Sequence, residues 1–181
     1  MSDHSAKEFQ PLNIAVLTVS DTREESTDTS GQALITGLTE AGHVLNERRI
    51  VKDDIYQIRA IVSTWIASED VQAILITGGT GFTSRDTTPE AVSPLFDTSI
   101  PGFGEVFRAI SLQQIGTSTI QSRAIAGLAN GVVIFAMPGS TNACKTAWYD
   151  VIQEQLDSTH RPCNFVPHLK KSTTELCATR G

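Results

Sequence analysis

The sequence predicts a three-layer α/β/α sandwich around a mostly parallel, mixed sheet. Three observations predict it. Short, nearly continuous apolar runs at Ile14–Val19, Ala73–Ile76 and Val132–Ala136 suit strands buried on both faces, as in a parallel sheet covered by helices. Between these runs lie segments whose apolar residues recur at helical spacing. Finally, Ala124–Ala129 is joined to Val132–Ala136 by Asn130-Gly131, a strong signal for a tight hairpin, so one strand runs against the others. Strands alternating with amphipathic helices call for helices on both faces of the sheet.

Residues 1–11 are polar and are expected to form a flexible N-terminus, with Pro11 marking the entry to the fold. Residues 12–157 are expected to form one domain. Ile14–Val19 is its first strand, followed by a polar, acidic loop from Ser20 to Thr29. A helix is predicted from about Ser30 to Ala41 on Leu34, Ile35, Leu38 and Ala41, with Gly42 at the position that ends a helix. Val44–Val51 mixes apolar and charged residues and reads as a strand exposed on part of one face. The second helix opens at Lys52-Asp53-Asp54 and carries one apolar stripe: Ile55, Ile58, Ile61, Val62, Trp65 and Ile66. Taken alone, Asp53 and Asp54 suit the cap and dipole positions of that helix.

The strand Ala73–Ile76 runs into Thr77-Gly78-Gly79-Thr80-Gly81, a polar loop to Thr87, and a short helix with Thr88 as its cap and Pro89 at its first position. Pro94 ends that helix, Pro101-Gly102 breaks the chain again, and Phe103–Ile115 reads as a helix on Val106, Phe107 and Ile110. After the hairpin, Met137-Pro138-Gly139-Ser140-Thr141 leads into a last long helix lined by Cys144, Ala147, Trp148, Val151, Ile152 and Leu156. Residues 158–181, with Pro162 and Pro167, are expected to form an irregular tail.

A chain of 181 residues, 40% apolar, suffices for one well-cored α/β domain and is short for two. Its formal charge of −6 argues against a nucleic-acid-binding surface, which needs a basic stripe. No charged-then-apolar leader opens the sequence and no apolar run is long enough to span a bilayer, so a cytoplasmic protein without a membrane partner is expected. Three unevenly spaced cysteines, Cys144, Cys163 and Cys177, fit reduced thiols. His160, Cys163 and His168 lack the paired spacing of a zinc site.

Four polar segments lie just past predicted strand ends: Ser20–Asp28, Asp53-Asp54, Gly78–Asp86 and Pro138–Ser140. In an open parallel sheet the crevice beyond the carboxyl ends of the strands is where ligands bind. The bare backbone of three glycines beside two threonines can approach an anion closely, although neither G-x-x-x-x-G-K-[ST] nor G-x-G-x-x-G is present. A phosphate there would meet backbone, hydroxyls and a metal on Asp86, with no lysine. No histidine or cysteine lies near these segments in sequence, which disfavours covalent catalysis. Carboxylates beside an anion cradle suit magnesium and phosphoryl or nucleotidyl transfer, or a phosphate-binding protein without turnover.

The run from Leu75 to Ala91, LITGGTGFTSRDTTPEA, resembles the signature of the molybdenum-cofactor biosynthesis family that includes molybdopterin adenylyltransferase. The resemblance continues through Ser20-Asp21, Thr29-Ser30-Gly31, Pro101–Glu105, Gln121-Ser122-Arg123 and Met137-Pro138-Gly139. The stretches Ile66–Val71 and Arg161–Phe165 look most like its protein B branch. The resemblance implies the family's molybdopterin-binding-like sandwich and a reaction in which ATP and Mg²⁺ convert molybdopterin to its adenylylated form with release of pyrophosphate. It implies catalytic roles for Asp53 and Asp86. Cofactor-binding roles are implied for Ser20, Asp21, Thr77, Gly78, Gly79, Thr80, Gly81, Pro138, Gly139 and Ser140, with Ser122 on the pterin side. It also implies a homo-oligomer, either a trimer or a trimer-based hexamer. The alternative within the same pathway is a non-catalytic molybdopterin- or nucleotide-binding protein.

Overall fold

The computed structural model describes residues 8–171. In chain order these form β1 (Asn13–Val19), α1 (Thr29–Glu40), β2 (Val44–Val51), α2 (Ile55–Ala67), β3 (Ala73–Thr77), α3 (Thr88–Val92), β4 (Thr98–Ser99), α4 (Pro101–Ile115), β5 (Ile125–Ala129), β6 (Val132–Met137), α5 (Thr141–Ala147) and α6 (Gln153–Leu156). One six-stranded sheet has the order β2-β1-β3-β6-β5-β4. β2, β1, β3 and β6 run parallel. β5 runs against both β6 and β4, so it alone is reversed. The predicted mixed sheet and its hairpin are both present, with Asn130 and Gly131 at φ +48° and +69°.

The central strands bury both faces, and the two-residue period of a strand divides their side chains between two cores. Ile14, Val16, Ala73, Leu75, Val133, Phe135 and Met137 face α1, α4 and the α5–α6 helix, meeting Leu34, Leu38, Phe103, Phe107 and Trp148. Ala15, Leu17, Ile74, Ile76, Ile134 and Ala136 face the other way, onto Ile58, Val62 and Trp65 of α2 and Ala91 and Val92 of α3. Helices therefore cover both faces, giving three layers. Trp65 is buried, and its indole N–H donates to Glu47 Oε2 of β2 at 2.6 Å.

The local differences from the sequence reading have physical causes. α1 begins one residue early because Asp28, a buried carboxylate, accepts from Gly31 N–H and caps it. Asp54 alone caps α2, accepting from the Tyr56 and Gln57 N–H groups. Asp53 is outside that helix. Thr88 is the first residue of α3, with Thr87 at the cap position. Pro101 opens α4 where a break was expected, because its missing N–H falls where a helix has no partner for one. β4 escaped notice because two exposed polar residues carry no apolar pattern. The last helix contains a π turn at Trp148–Ile152 between α5 and α6, where the Trp148 ring lies against Gly37 of α1. In the tail, Lys170 N–H donates to Gly131 O, and Lys170 Nζ donates to Ile66 O at 2.9 Å near the end of α2. No described helix is long and apolar enough to cross a membrane.

Candidate active site

Because β1, β3 and β6 are parallel neighbours, the segments leaving them emerge side by side. They enclose a cleft of about 460 Å³. Of the residues singled out in the sequence, Ser20, Asp21, Asp53, Thr77, Gly78, Gly79, Thr80, Gly81, Asp86, Ser122, Pro138 and Gly139 all line it. Ser140 does not. It is exposed, and its hydroxyl accepts from Ala143 N–H to cap α5, a job its position directly before that helix also signals.

The turn after β3 is shaped by its glycines. Gly78 and Gly79 have φ of +104° and +65°, which disfavour any side chain. The approach is also too close for one: a Cβ on Gly78 would lie 2.2 Å from Val19 O, and one on Gly79 would lie 2.4 Å from Thr88 Oγ1 and 2.7 Å from Asp53 Oδ2. The turn is held from below, since Gly78 N–H donates to Met137 O and Thr88 Oγ1 donates to Gly78 O. The Gly79 and Thr80 N–H groups make no hydrogen bond within the described residues, and they belong to the stretch that lines the cleft.

Each carboxylate is set by a different loop. Asp53 Oδ1 accepts from Thr87 N–H at 3.1 Å and Thr87 Oγ1 at 2.7 Å, leaving Oδ2 toward Gly79. Asp86 Oδ2 accepts from Thr83 N–H at 2.9 Å and Thr83 Oγ1 at 2.6 Å. Burial works to raise the Asp86 pKa, but the Thr83 donors, the Gly81 N–H and the nearby Arg123 charge outweigh it and hold the carboxyl below its ordinary range. Asp86 is therefore ionised at neutral pH. Asp21, exposed, is held low chiefly by its paired hydrogen bonds from Arg85, at 2.7 Å from Nη2 to each oxygen. Its Oδ1 also accepts from Asp53 N–H at 3.2 Å, tying the loop after β1 to the one after β2.

The sequence reading missed several residues here. Arg123 fastens the loop after the glycine turn: Nε donates to Gly81 O at 2.8 Å, Nη2 to Asp86 O at 2.7 Å, and the guanidinium also pairs with Glu90. It also lies 5.3 Å over the Phe82 ring. Arg23 lines the cleft, so a cation does border it. Ile115, Ser118 and Gln121, from the end of α4 and the segment after it, also line the cleft. Only Gln121 and Arg123 lay in a segment marked by resemblance, and no local pattern pointed to Ile115 or Ser118. The expectation that no cysteine lies near these segments is corrected, since Cys144 follows Ser140 by only four residues. Cys144 Sγ lies 3.0 Å from Thr77 Oγ1 beneath the cleft floor. Burial pushes that thiol up to about 12, so it stays protonated and packs as an apolar group.

Among the described residues, no group of three or more His, Cys, Asp or Glu side chains is placed to hold a metal by itself. Asp53 and Asp86 offer at most two carboxylates, which matches a hard cation that takes its remaining ligands from phosphates and water.

Fold and cleft together define an α/β protein with a polar cleft at the carboxyl ends of its parallel strands, the place where open α/β sheets bind ligands. A family model described as a probable molybdopterin binding domain matches residues 15–158. The chain belongs to this family. It is 61% identical over 164 residues to molybdenum cofactor biosynthesis protein B of Escherichia coli strain K12, covering 91% of this chain and 96% of that protein. Among solved structures, one described as molybdenum cofactor biosynthesis protein B superposes with a TM-score of 0.80 at 46% identity, covering 83% of this chain and 94% of the other. The tungsten cofactor synthesizing protein MoaB from Pyrococcus furiosus superposes with a TM-score of 0.74 at 37% identity, over 81% and 93% of the two chains.

Proposed function

We propose that this chain acts in molybdenum cofactor biosynthesis, adenylylating molybdopterin at the expense of Mg-ATP with release of pyrophosphate. The family match and the relatives named for that pathway support the role. One observation carries the reaction: the carboxylates of Asp53 and Asp86 press against the backbone of the Gly78–Gly81 turn. A Cβ on Gly81 would come 2.9 Å from Asp86 Oδ2, just as one on Gly79 would meet Asp53 Oδ2. A phosphate cradled by that turn is brought within reach of both side chains.

The cleft lining carries Asp21, Asp53 and Asp86 against Arg23, and Asp21 is already matched by Arg85. Two carboxylates facing a polyphosphate would repel it unless a cation lay between. Asp53 and Asp86 would hold Mg²⁺ there, and the bound ion would supply neutralisation of the charge that builds on the departing pyrophosphate. The Gly79 and Thr80 N–H groups orient phosphate oxygens. Ser122, with Ser118 and Gln121 beside it, offers hydroxyl and amide groups to the pterin.

The test is molybdopterin-dependent release of pyrophosphate from ATP. Asp86→Asn and Asp53→Asn keep shape and remove charge, and each is expected to lower the rate by about 10²-fold or more while pterin binding changes far less. Wild-type protein that binds pterin and nucleotide but releases no pyrophosphate would rule out the transferase and leave a binding protein of the same pathway.

A further inference from the structure

We infer that Arg23 anchors a phosphate of the ligand, at the part of the cleft bordered by Ser30 and Gly139, and that Asp28 and Ser30 are its positioning residues. The inference rests on the nucleotidyl-transfer reading for one thing only: that the ligand carries phosphoryl groups.

Arg23 is the only cation among the described residues that line the cleft. The neighbouring cations are used elsewhere. Arg85 is bound through both of its Nη2 contacts and Nε to Asp21, and Arg123 holds Gly81 O, Asp86 O and Glu90. Arg23 differs from both. Its Nη1 meets Asp28 Oδ1 at 3.4 Å and also bonds to Ser30 Oγ, while its Nε and Nη2 have no partner within the described residues.

A simpler account would make Arg23 the counter-ion of Asp28, but a charge count argues against it. The Asp28 side chain has no exposed surface, and Arg48 already pairs with its Oδ2 at 3.0 Å. Thr18 Oγ1 donates to the same oxygen at 2.7 Å, and Gly31 N–H donates to Oδ1 at 2.9 Å. Desolvation of this carboxylate is thus answered before Arg23 is considered. One carboxylate beside two guanidinium groups leaves one positive charge over, and Arg23 is the group of the three that faces the cleft. Its Nη1 end is held by Asp28 and Ser30. Ser30, buried at the start of α1, takes the Arg23 contact and donates its own proton to Gly139 O at 2.9 Å. That couples the loop after β1 to the segment after β6. A guanidinium held at one nitrogen, its other two without a partner among the described residues and the side chain lining the cleft, suits a phosphate dianion.

Two phosphoryl sources fit, the nucleotide and a phosphate monoester on the pterin, and one experiment separates them. Calorimetric titration of the full-length chain with Mg²⁺ would use a non-hydrolysable ATP analogue and hydroxymethylpterin phosphate, with adenosine and hydroxymethylpterin as unphosphorylated controls. Arg23→Gln should weaken one phosphorylated probe by about tenfold or more, leave its control unchanged, and be partly rescued by Arg23→Lys. The affected probe names the source. A residue that only stabilises the loop would weaken controls and probes alike, which would overturn the inference, as would unchanged affinity for both phosphorylated probes. If Arg23→Gln does not fold, phenylglyoxal modification of Arg23 in the wild type, followed by mass spectrometry, replaces it. Protection by a phosphorylated probe supports the anchor, and equal labelling with and without it refutes the anchor. None of these readouts needs turnover, so the anchor can stand where the transferase reading fails.

Discussion

Asp53 and Asp54 are adjacent and chemically identical, yet the fold gives them different work. Asp54 accepts from two N–H groups of the first turn of α2, while Asp53 accepts from Thr87 and faces the glycine turn. In the sequence both sit at a helix start, and the cap explanation serves either one. Only the position of Thr87, 34 residues on, separates them. Their variants should separate too. Asp54→Ala is expected to lower stability by about 1 kcal/mol, read by urea denaturation, with the adenylylation rate intact. Asp53→Asn should show the reverse, with a stable fold and a lost rate. A matching rate loss in Asp54→Ala would mean that the helix start as a whole, and not the Asp53 carboxylate, serves the chemistry. Ser140 is the opposite case. Its neighbours Pro138 and Gly139 line the cleft, but the cap bond to Ala143 N–H turns Ser140 away.

Among the elements, the contact between α1 and the last helix leaves no room for a side chain on Gly37. A Cβ on Gly37 would lie 2.5 Å from Trp148 Cδ1, and Trp148 is fully buried. Gly37→Ala should therefore destabilise the protein by about 1–3 kcal/mol despite the better helix propensity of alanine. A melting temperature equal to or above that of the wild type would show that the indole can move aside. This matters for the site because α1 starts at Asp28–Ser30, the residues that hold Arg23. Helices with a clear apolar stripe, α1 and α2 above all, were legible in the sequence. The π turn was not, because its residues keep their apolar spacing through Val151 and Ile152 while the backbone register shifts by one. Nor was β4, which exists only because β5 offers an edge for Thr98 and Ser99 to pair with.

For the molecule as a whole, pH dependence of stability should centre on His43. Its Nδ1 accepts from Leu12 N–H at 3.1 Å, its ring packs on Phe9 and Trp148, and burial lowers its pKa to about 4. Unfolded, the imidazole takes a proton near 6.5. Between those values the unfolded chain binds more protons, so stability is complete above about pH 6.5 and falls as pH drops toward 4, by about 3 kcal/mol in all. Urea midpoints measured across that range should show the slope, and His43→Asn, which keeps an acceptor but cannot titrate there, should flatten it. The trimer or trimer-based hexamer expected from the sequence predicts a native mass that is a multiple of three 19.5 kDa chains. Val106, Leu112 and Ile115 of α4 are each about half exposed, apolar surface that a second copy could cover. Light scattering that gave a stable monomer or dimer at micromolar concentration would contradict this.

By itself the sequence determined the layers and the place of the candidate cleft. Apolar runs, helical stripes and one Asn-Gly pair are local signals, and parallel strands send their trailing loops to one edge whatever the details. Asp86 and the Gly78–Gly81 turn were legible for the same reason, since strand, turn and carboxylate are contiguous. The tertiary structure alone decided which side chains point into the cleft. The assignment of Asp53 over Asp54, the clamp of Arg123, the exclusion of Ser140 and the presence of Arg23 each depend on a partner distant in the chain or on the direction of a single side chain. Hydrogen bonds and ion pairs between remote loops leave no periodicity for a sequence to display, because their geometry is created only when the sheet brings those loops together.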